Sequence, residues 1–222
     1  MQIIIDVRTS KEVEASTEEL YDLFYAAFQQ WAEADLYNSA AHIAIDRFKQ
    51  YLANCLVFVA QDETTGELLA MHTLRLNKRK GRVNGANLAV SPKVKREGIA
   101  SRMLEEEVQR LRKAGYRYMM GSTGIPATWS VRWHLKNGYR IVGYSRNEKH
   151  NYASYVFRKQ IATDVWHHPA DLLWTCPIAP LTAKISYAAS YIATSICKTR
   201  EGRLNWVGGM GKRVFKGKRV KR

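Results

Sequence analysis

The segment Leu88-Ala-Val-Ser-Pro-Lys-Val-Lys-Arg-Glu-Gly-Ile-Ala-Ser-Arg102 constrains the fold of this chain more than any other. An apolar strand ends at Val90, Ser91-Pro92 closes it, and a basic loop leads to Gly98. From there Ala100, Leu104, Val108 and Leu111 recur at helical spacing, until Gly115 supplies a stop. A strand that feeds a helix through so short a loop returns the chain across its own sheet, which places the protein in the mixed α/β class. The first N–H groups of a helix have no partner within it, and the helix dipole adds partial positive charge at the same end. Gly98 and Ala100 add no bulk there, while Lys95 and Arg96 bring cations. This is the physical recipe for binding a phosphate or other anion at a helix N-terminus.

The rest of the chain supplies the elements around that crossover. Short β-branched or apolar runs predict strands at 3–7, 55–60, 67–76, 86–90, 116–120, 140–144 and 152–157. Ser16 and Glu19 have the spacing of a capping box, and behind them Leu20, Leu23, Phe24, Ala27, Phe28 and Trp31 form one apolar helical face. A second helix is expected from near Ser39 to Leu52, and another from Pro126 to Asn137-Gly138. The order is strand, two helices, three strands, helix, strand, helix, two strands. It predicts a mixed, mostly antiparallel central sheet with flanking helices over residues 1–160. A helical, basic extension over 161–222 follows it.

Lys95-Arg-Glu-Gly-Ile-Ala100 resembles the acetyl-CoA motif of the GNAT superfamily of N-acetyltransferases, Arg/Gln-x-x-Gly-x-Gly/Ala. Trp133-His-Leu-Lys-Asn-Gly-Tyr139, leading into Arg140-Ile-Val-Gly-Tyr144, resembles the end of the family's second motif. The resemblance implies an acyl-CoA N-acyltransferase fold and an enzyme that moves an acetyl group from acetyl-CoA to a primary amine. It implies cofactor contacts from Leu88, Ala89, Val90, Lys95, Arg96, Glu97, Gly98, Ile99, Ala100 and Ser101, with Leu88 and Val90 pairing with the pantetheine arm. Lys95 stands where the family has arginine or glutamine. Lysine keeps the charge without the fork of donors, so either it binds phosphate as a point charge or Arg96 takes that contact.

The family's usual general acid is a tyrosine, and the resemblance places His134 at its position. An imidazole near neutral pH can give or take a proton, so His134 is the candidate acid toward the CoA sulfur. Its bland alternative is a packing role near the helix end. Trp129 and Tyr139 are expected to line the core or cleft. No base is assigned: Asn87 cannot serve, His72 is expected as a satisfied core histidine, and Glu33 and Asp35 are expected on the surface.

The formal charge is +15, and residues 161–222 hold eleven Lys and Arg against three acids. Within this extension Ile185, Ala188, Ile192 and Ile196 mark one face of an amphipathic helix, followed by a polybasic end. Docking or homodimerisation ranks first for it, an anionic membrane surface second and nucleic acid third, because aromatics are not interleaved for base stacking. Cys55, Cys176 and Cys197 make no metal spacing, and His167, His168 and Asp171 lack a further ligand at suitable spacing, so no metal is expected. Reduced thiols and a start without a secretory pattern predict a cytoplasmic protein, either free or peripheral to a membrane. Two other functions fit the residues. One is a module that binds CoA or another anion with little catalysis, and the other is an acyltransferase held at anionic lipid by residues 161–222.

Overall fold

The computed structural model describes residues 2–37, 42–146, 150–162 and the two-residue strand at 207–208. The expected amphipathic helix of the extension and most of its basic end lie outside these residues. The chain divides into two compact units. Among the described residues the first comprises those up to 121 and 159–162, and the second takes in 122–158 and the strand at 207–208.

The first unit is built on the strands β1 (Ile3–Arg8), β2 (Leu56–Asp62), β3 (Leu68–Asn77), β4 (Arg82–Val90) and β5 (Tyr118–Gly124), the last of which runs on into the second unit. They neighbour one another in that order. β1 to β4 pair antiparallel, and β5 joins β4 in parallel after the helical crossover. The mixed, mostly antiparallel sheet with flanking helices is as expected. β4 begins four residues earlier than the apolar pattern suggested, since Arg82 and Asn84 pair within the ladder although neither is apolar.

The first helical region differs from expectation. The capping box forms at Thr9 and Glu12, not at Ser16 and Glu19. The Thr9 N–H donates to Glu12 Oε2 at 2.7 Å, and the Glu12 N–H donates to Thr9 Oγ1 at 3.4 Å. That backbone N–H of Thr9 also holds the Glu12 carboxyl below its ordinary pKa. The box opens a short helix, α1 (Ser10–Ala15), ahead of α2 (Thr17–Glu33). Ser16 occupies the N-cap position of α2 but makes no side-chain capping bond, its hydroxyl being turned back to donate to the Glu12 carbonyl at 2.6 Å. α3 is described over Ile45–Leu52, and its expected start near Ser39 falls among the undescribed residues.

Successive residues of a strand face opposite sides of the sheet, and β3 shows what each side holds. On one side α2 and α3 pack through Leu20, Phe24, Phe48 and Leu52, all buried, with the Phe24 and Phe48 rings 4.9 Å apart. Burying each such side chain stabilises the fold by roughly 1.5–3 kcal/mol. Thr73 faces this side and donates to the Ala86 carbonyl at 2.6 Å. Its proton is thus spent, so the Tyr51 hydroxyl of α3 must be the donor in the 2.9 Å bond to Thr73 Oγ1. Burial pushes the Tyr51 phenol up to about 12, keeping that proton in place through neutral pH. Tyr51→Phe is expected to cost about 1 kcal/mol, the net worth of one such hydrogen bond. Urea denaturation at neutral pH checks it, and a midpoint equal to wild type would contradict the role.

On the other side lies α4 (Ile99–Lys113), whose buried residues are Ile99, Met103, Leu104, Glu107, Val108 and Leu111. In the second unit α5 (Thr128–Lys136) accompanies β6 (Arg140–Arg146) and β7 (Ala153–Gln160), which pair antiparallel. β8 (Val207–Gly208) adds a short antiparallel pairing to Tyr144 and Ser145 of β6.

Candidate active site

The site begins with an interruption in the sheet. β4 pairs with β5 only from Arg82 to Asn84, opposite Tyr118 to Met120. From Gly85 to Val90, β3 is the only strand that pairs with β4 among the described residues. On the β3 side the ladder is broken as well. Thr73 pairs with Ala86 and Met71 with Ala89, so Asn87 and Leu88 together face His72 alone. Asn87 makes this bulge by adopting a left-handed φ of 55°, a conformation asparagine tolerates better than most residues. A bulge re-aims backbone groups, and the edge of β4 beyond Asn84 is free to pair with a linear ligand instead of a strand. Leu88 and Val90 are half-buried on this stretch, while Ala89 is fully buried.

The loop after β4 is anchored where it leaves the sheet, by the Ser91 N–H donating to the Leu69 carbonyl at 2.8 Å. A single 3₁₀ turn, Pro92–Val94, follows. Arg96 then takes φ 73° and Gly98 takes φ 82°, two left-handed residues flanking Glu97. The Glu97 N–H between them donates to the Val94 carbonyl at 3.5 Å, so the N–H groups left to cradle an anion are those of Arg96 and of the helix start. Gly98 is also the N-cap of α4 and offers no side chain, so the leading N–H groups of the helix stay open to a ligand. Lys95, Arg96, Glu97 and Gly98 are exposed, Ala100 and Ser101 are half-buried, and Ile99 is turned into the core. Ile99 can therefore contribute only its backbone to this site. Lys95 Nζ donates to Gln30 Oε1 of α2 at 3.2 Å, while Arg96 makes no side-chain bond among the described residues.

Glu33 ends α2 and is exposed, as is Asp35, which takes a left-handed φ of 53° just beyond it. His72 is buried, as expected. Its partner is Glu107, a carboxylate within the apolar stripe of α4 whose significance the sequence did not reveal. The only sequence signal was its spacing, three residues after Leu104.

His134 belongs to the second unit, on α5. Its Nδ1–H donates to the Ser130 carbonyl one turn earlier at 2.8 Å. The ring stacks on Phe157 at 4.5 Å between centroids and meets Trp133 and Tyr139 edge-on, both at 5.0 Å. With Nδ1 holding a proton for Ser130, a neutral ring carries its lone pair on Nε2. His134 therefore has a second proton to give only as the imidazolium.

Among the described residues no group of three His, Cys, Asp or Glu side chains is arranged to hold a metal ion. No helix among them is long and apolar enough to cross a membrane.

The family profile described as Acetyltransferase (GNAT) family matches residues 17–139, more than half of the chain. No curated protein is similar enough in sequence to match it. Several solved structures share the fold. The ribosomal-protein-S18-alanine N-acetyltransferase of Escherichia coli is 13% identical, with a TM-score of 0.57 over 75% of this chain and 100% of its own. The PaiA N-acetyltransferase of Thermoplasma acidophilum, solved with coenzyme A, is 16% identical, with a TM-score of 0.58 over 72% and 99%. A GNAT family acetyltransferase of Elizabethkingia anophelis with acetyl-CoA bound is 18% identical, with a TM-score of 0.55 over 71% and 97%. With the profile spanning the open edge of β4, the cradle and the start of α4, the chain belongs to the acetyltransferase (GNAT) family.

Proposed function

We propose that this acetyltransferase moves the acetyl group of acetyl-CoA to a primary amine on a small molecule or peptide. The observation that carries this reading is the continuous path from the open edge of β4 to the cradle at 96–98. A ligand that fits it needs an extended, amide-bearing arm at one end and a pyrophosphate at the other, and acetyl-CoA has both. Leu88 and Val90 would pair with the arm. The N–H groups of 98–100 would take the pyrophosphate, since the Ser101 N–H already donates to the Gly98 carbonyl at 3.0 Å, and Arg96 would add the cation, since Lys95 is engaged by Gln30. A backbone N–H at the bulge would polarise the thioester carbonyl.

Acetyl transfer then needs an amine without its extra proton and a sulfur that leaves as thiol. His134 is the proposed donor to the departing sulfur. The resemblance of 133–139 to the family's second motif supports this role, and Ser130 fixes the ring's tautomer. The S18 enzyme's own name specifies an alanine amine, which agrees with a nitrogen acceptor here.

Incubating the full chain with acetyl-CoA and a set of primary amines tests the reading. Putrescine, glucosamine, lysine and an alanyl peptide sample the amine classes. Thiol release that depends on the amine, with a matching acetylated product by mass, is the expected result. Thiol release that ignores every amine would replace this function with hydrolysis, and no release with tight acetyl-CoA binding would leave a binding module.

A further inference from the structure

A buried histidine–carboxylate pair sits directly behind the bulge. His72 is 5% exposed and Glu107 is 0% exposed. His72 Nδ1 lies 2.9 Å from Glu107 Oε1 and 3.0 Å from Oε2. Both carboxylate oxygens thus converge on one ring nitrogen, which fixes the proton on Nδ1 and leaves Nε2 as the basic atom. Among the described residues Nε2 makes no hydrogen bond. It leans instead over Gly85: a Cβ built on that residue would lie 2.9 Å from Nε2 and 3.5 Å from the Met119 sulfur of β5. Gly85 is the first residue of β4 beyond the pairing with β5, and His72 is the residue that faces the bulge. The basic nitrogen is therefore held at the point where β4 and β5 part.

Packing alone gives little reason for this arrangement. Burying a carboxylate costs several kcal/mol before its partner offsets it, and an apolar pair of similar size serves a core at least as well. Glycine inside a strand weakens it further, yet here glycine is what makes room for the ring. Glu107 is the charged group in contact with the ring. Arg110, a turn later on α4, stacks over Phe58 and binds Glu106 and Asp6.

We propose that His72 is the general base of the acetyl transfer and that Glu107 is its positioning residue, an inference that rests on the amine-acceptor reading above. As the amine nitrogen bonds to the thioester carbonyl carbon, its proton passes through one water to His72 Nε2. The C–S bond then breaks, the sulfur leaves with the bonding pair, and it takes up a proton as thiol. His72 returns its own proton to solvent. Glu107 stabilises the imidazolium in between and is not itself protonated.

The test is the full chain with acetyl-CoA and the most active amine of the set above, followed by thiol release across pH. His72→Gln is expected to lower kcat by about 10²-fold or more, the scale of general base catalysis, with acetyl-CoA KM unchanged and the acid limb of the kcat profile gone. Glu107→Gln preserves volume, and Gly85→Ala displaces the ring; each should lower kcat with the acetyl-CoA KM kept. These two variants carry the test if His72→Gln does not fold. A folded His72→Gln enzyme with wild-type kcat and an intact acid limb overturns the inference alone, as do wild-type rates in both other variants. A wild-type enzyme silent on every amine overturns it together with the amine-acceptor reading.

Discussion

Gly98→Asp is expected to abolish acetyl-CoA binding while leaving the protein folded. A Cβ at this position meets nothing within 4 Å, so the side chain has room; the φ of 82° strains any non-glycine residue, aspartate and asparagine alike and less than most. What it adds is a negative charge at the N-cap of α4, facing the proposed pyrophosphate position. Two charges 4 Å apart interact by about 1 kcal/mol in water and about 4 kcal/mol near a protein surface, and a pyrophosphate carries more than one. In wild type, acetyl-CoA at about 100 times its Kd should add about 2.7 kcal/mol of stability, enough to raise Tm by several degrees. Differential scanning fluorimetry should show that rise lost in Gly98→Asp and largely kept in Gly98→Asn, which matches its shape without the charge. An undiminished shift in the aspartate variant would remove the pyrophosphate from this helix end.

The second large effect is expected at His134. His134→Ala should lower turnover well beyond tenfold, within the ~10²–10⁴ range of general acid catalysis, while acetyl-CoA affinity stays nearly unchanged. Because Nδ1–H is committed to the Ser130 carbonyl, the acid form is the imidazolium. Activity that depends on it should fall as pH rises through the titration of this ring, and alanine should erase that limb. His134→Tyr restores the family's usual residue and should retain more activity than alanine. Its hydroxyl is an acid without needing a positive charge, so the alkaline limb should move upward. Alanine as active as wild type with an unchanged profile would leave His134 as a packing residue against Phe157 and Tyr139, and catalysis would rest on proximity and carbonyl polarisation.

The parts of this site that were legible in the sequence are those written in consecutive residues. A strand, a proline-closed end, basic residues and a glycine before a helical stripe are all local, and 88–102 declared its strand–loop–helix structure. Features that depend on distant residues were not legible. Glu107 occupies a core position of α4, but its partner lies 35 residues away on β3, and only the fold brings them together. The bulge rests on one left-handed asparagine, with no glycine to announce it. The helix start was misplaced for a related reason. Thr9–Glu12 and Ser16–Glu19 have the same spacing, and what separates them is where the Ser16 hydroxyl goes.

The unpaired stretch of β4 also bears on how the protein behaves without its ligand. An open strand edge is ordinarily a place where another chain can add itself, and proteins shorten, charge or cover such edges. Here β5 still holds β4 at Arg82–Asn84, so an invading strand would meet an occupied register at one end. At the other, β4 is followed at once by Ser91, Pro92 and the exposed lysines and arginine of the loop. Proline cannot extend a ladder, and clustered cations repel a second copy of the same loop. The unpaired stretch is thereby bounded by an occupied register at one end and by proline and exposed cations at the other. On the proposed reading, the residues that would admit a nucleotide-tailed thioester are the same ones that discourage a second copy of the strand.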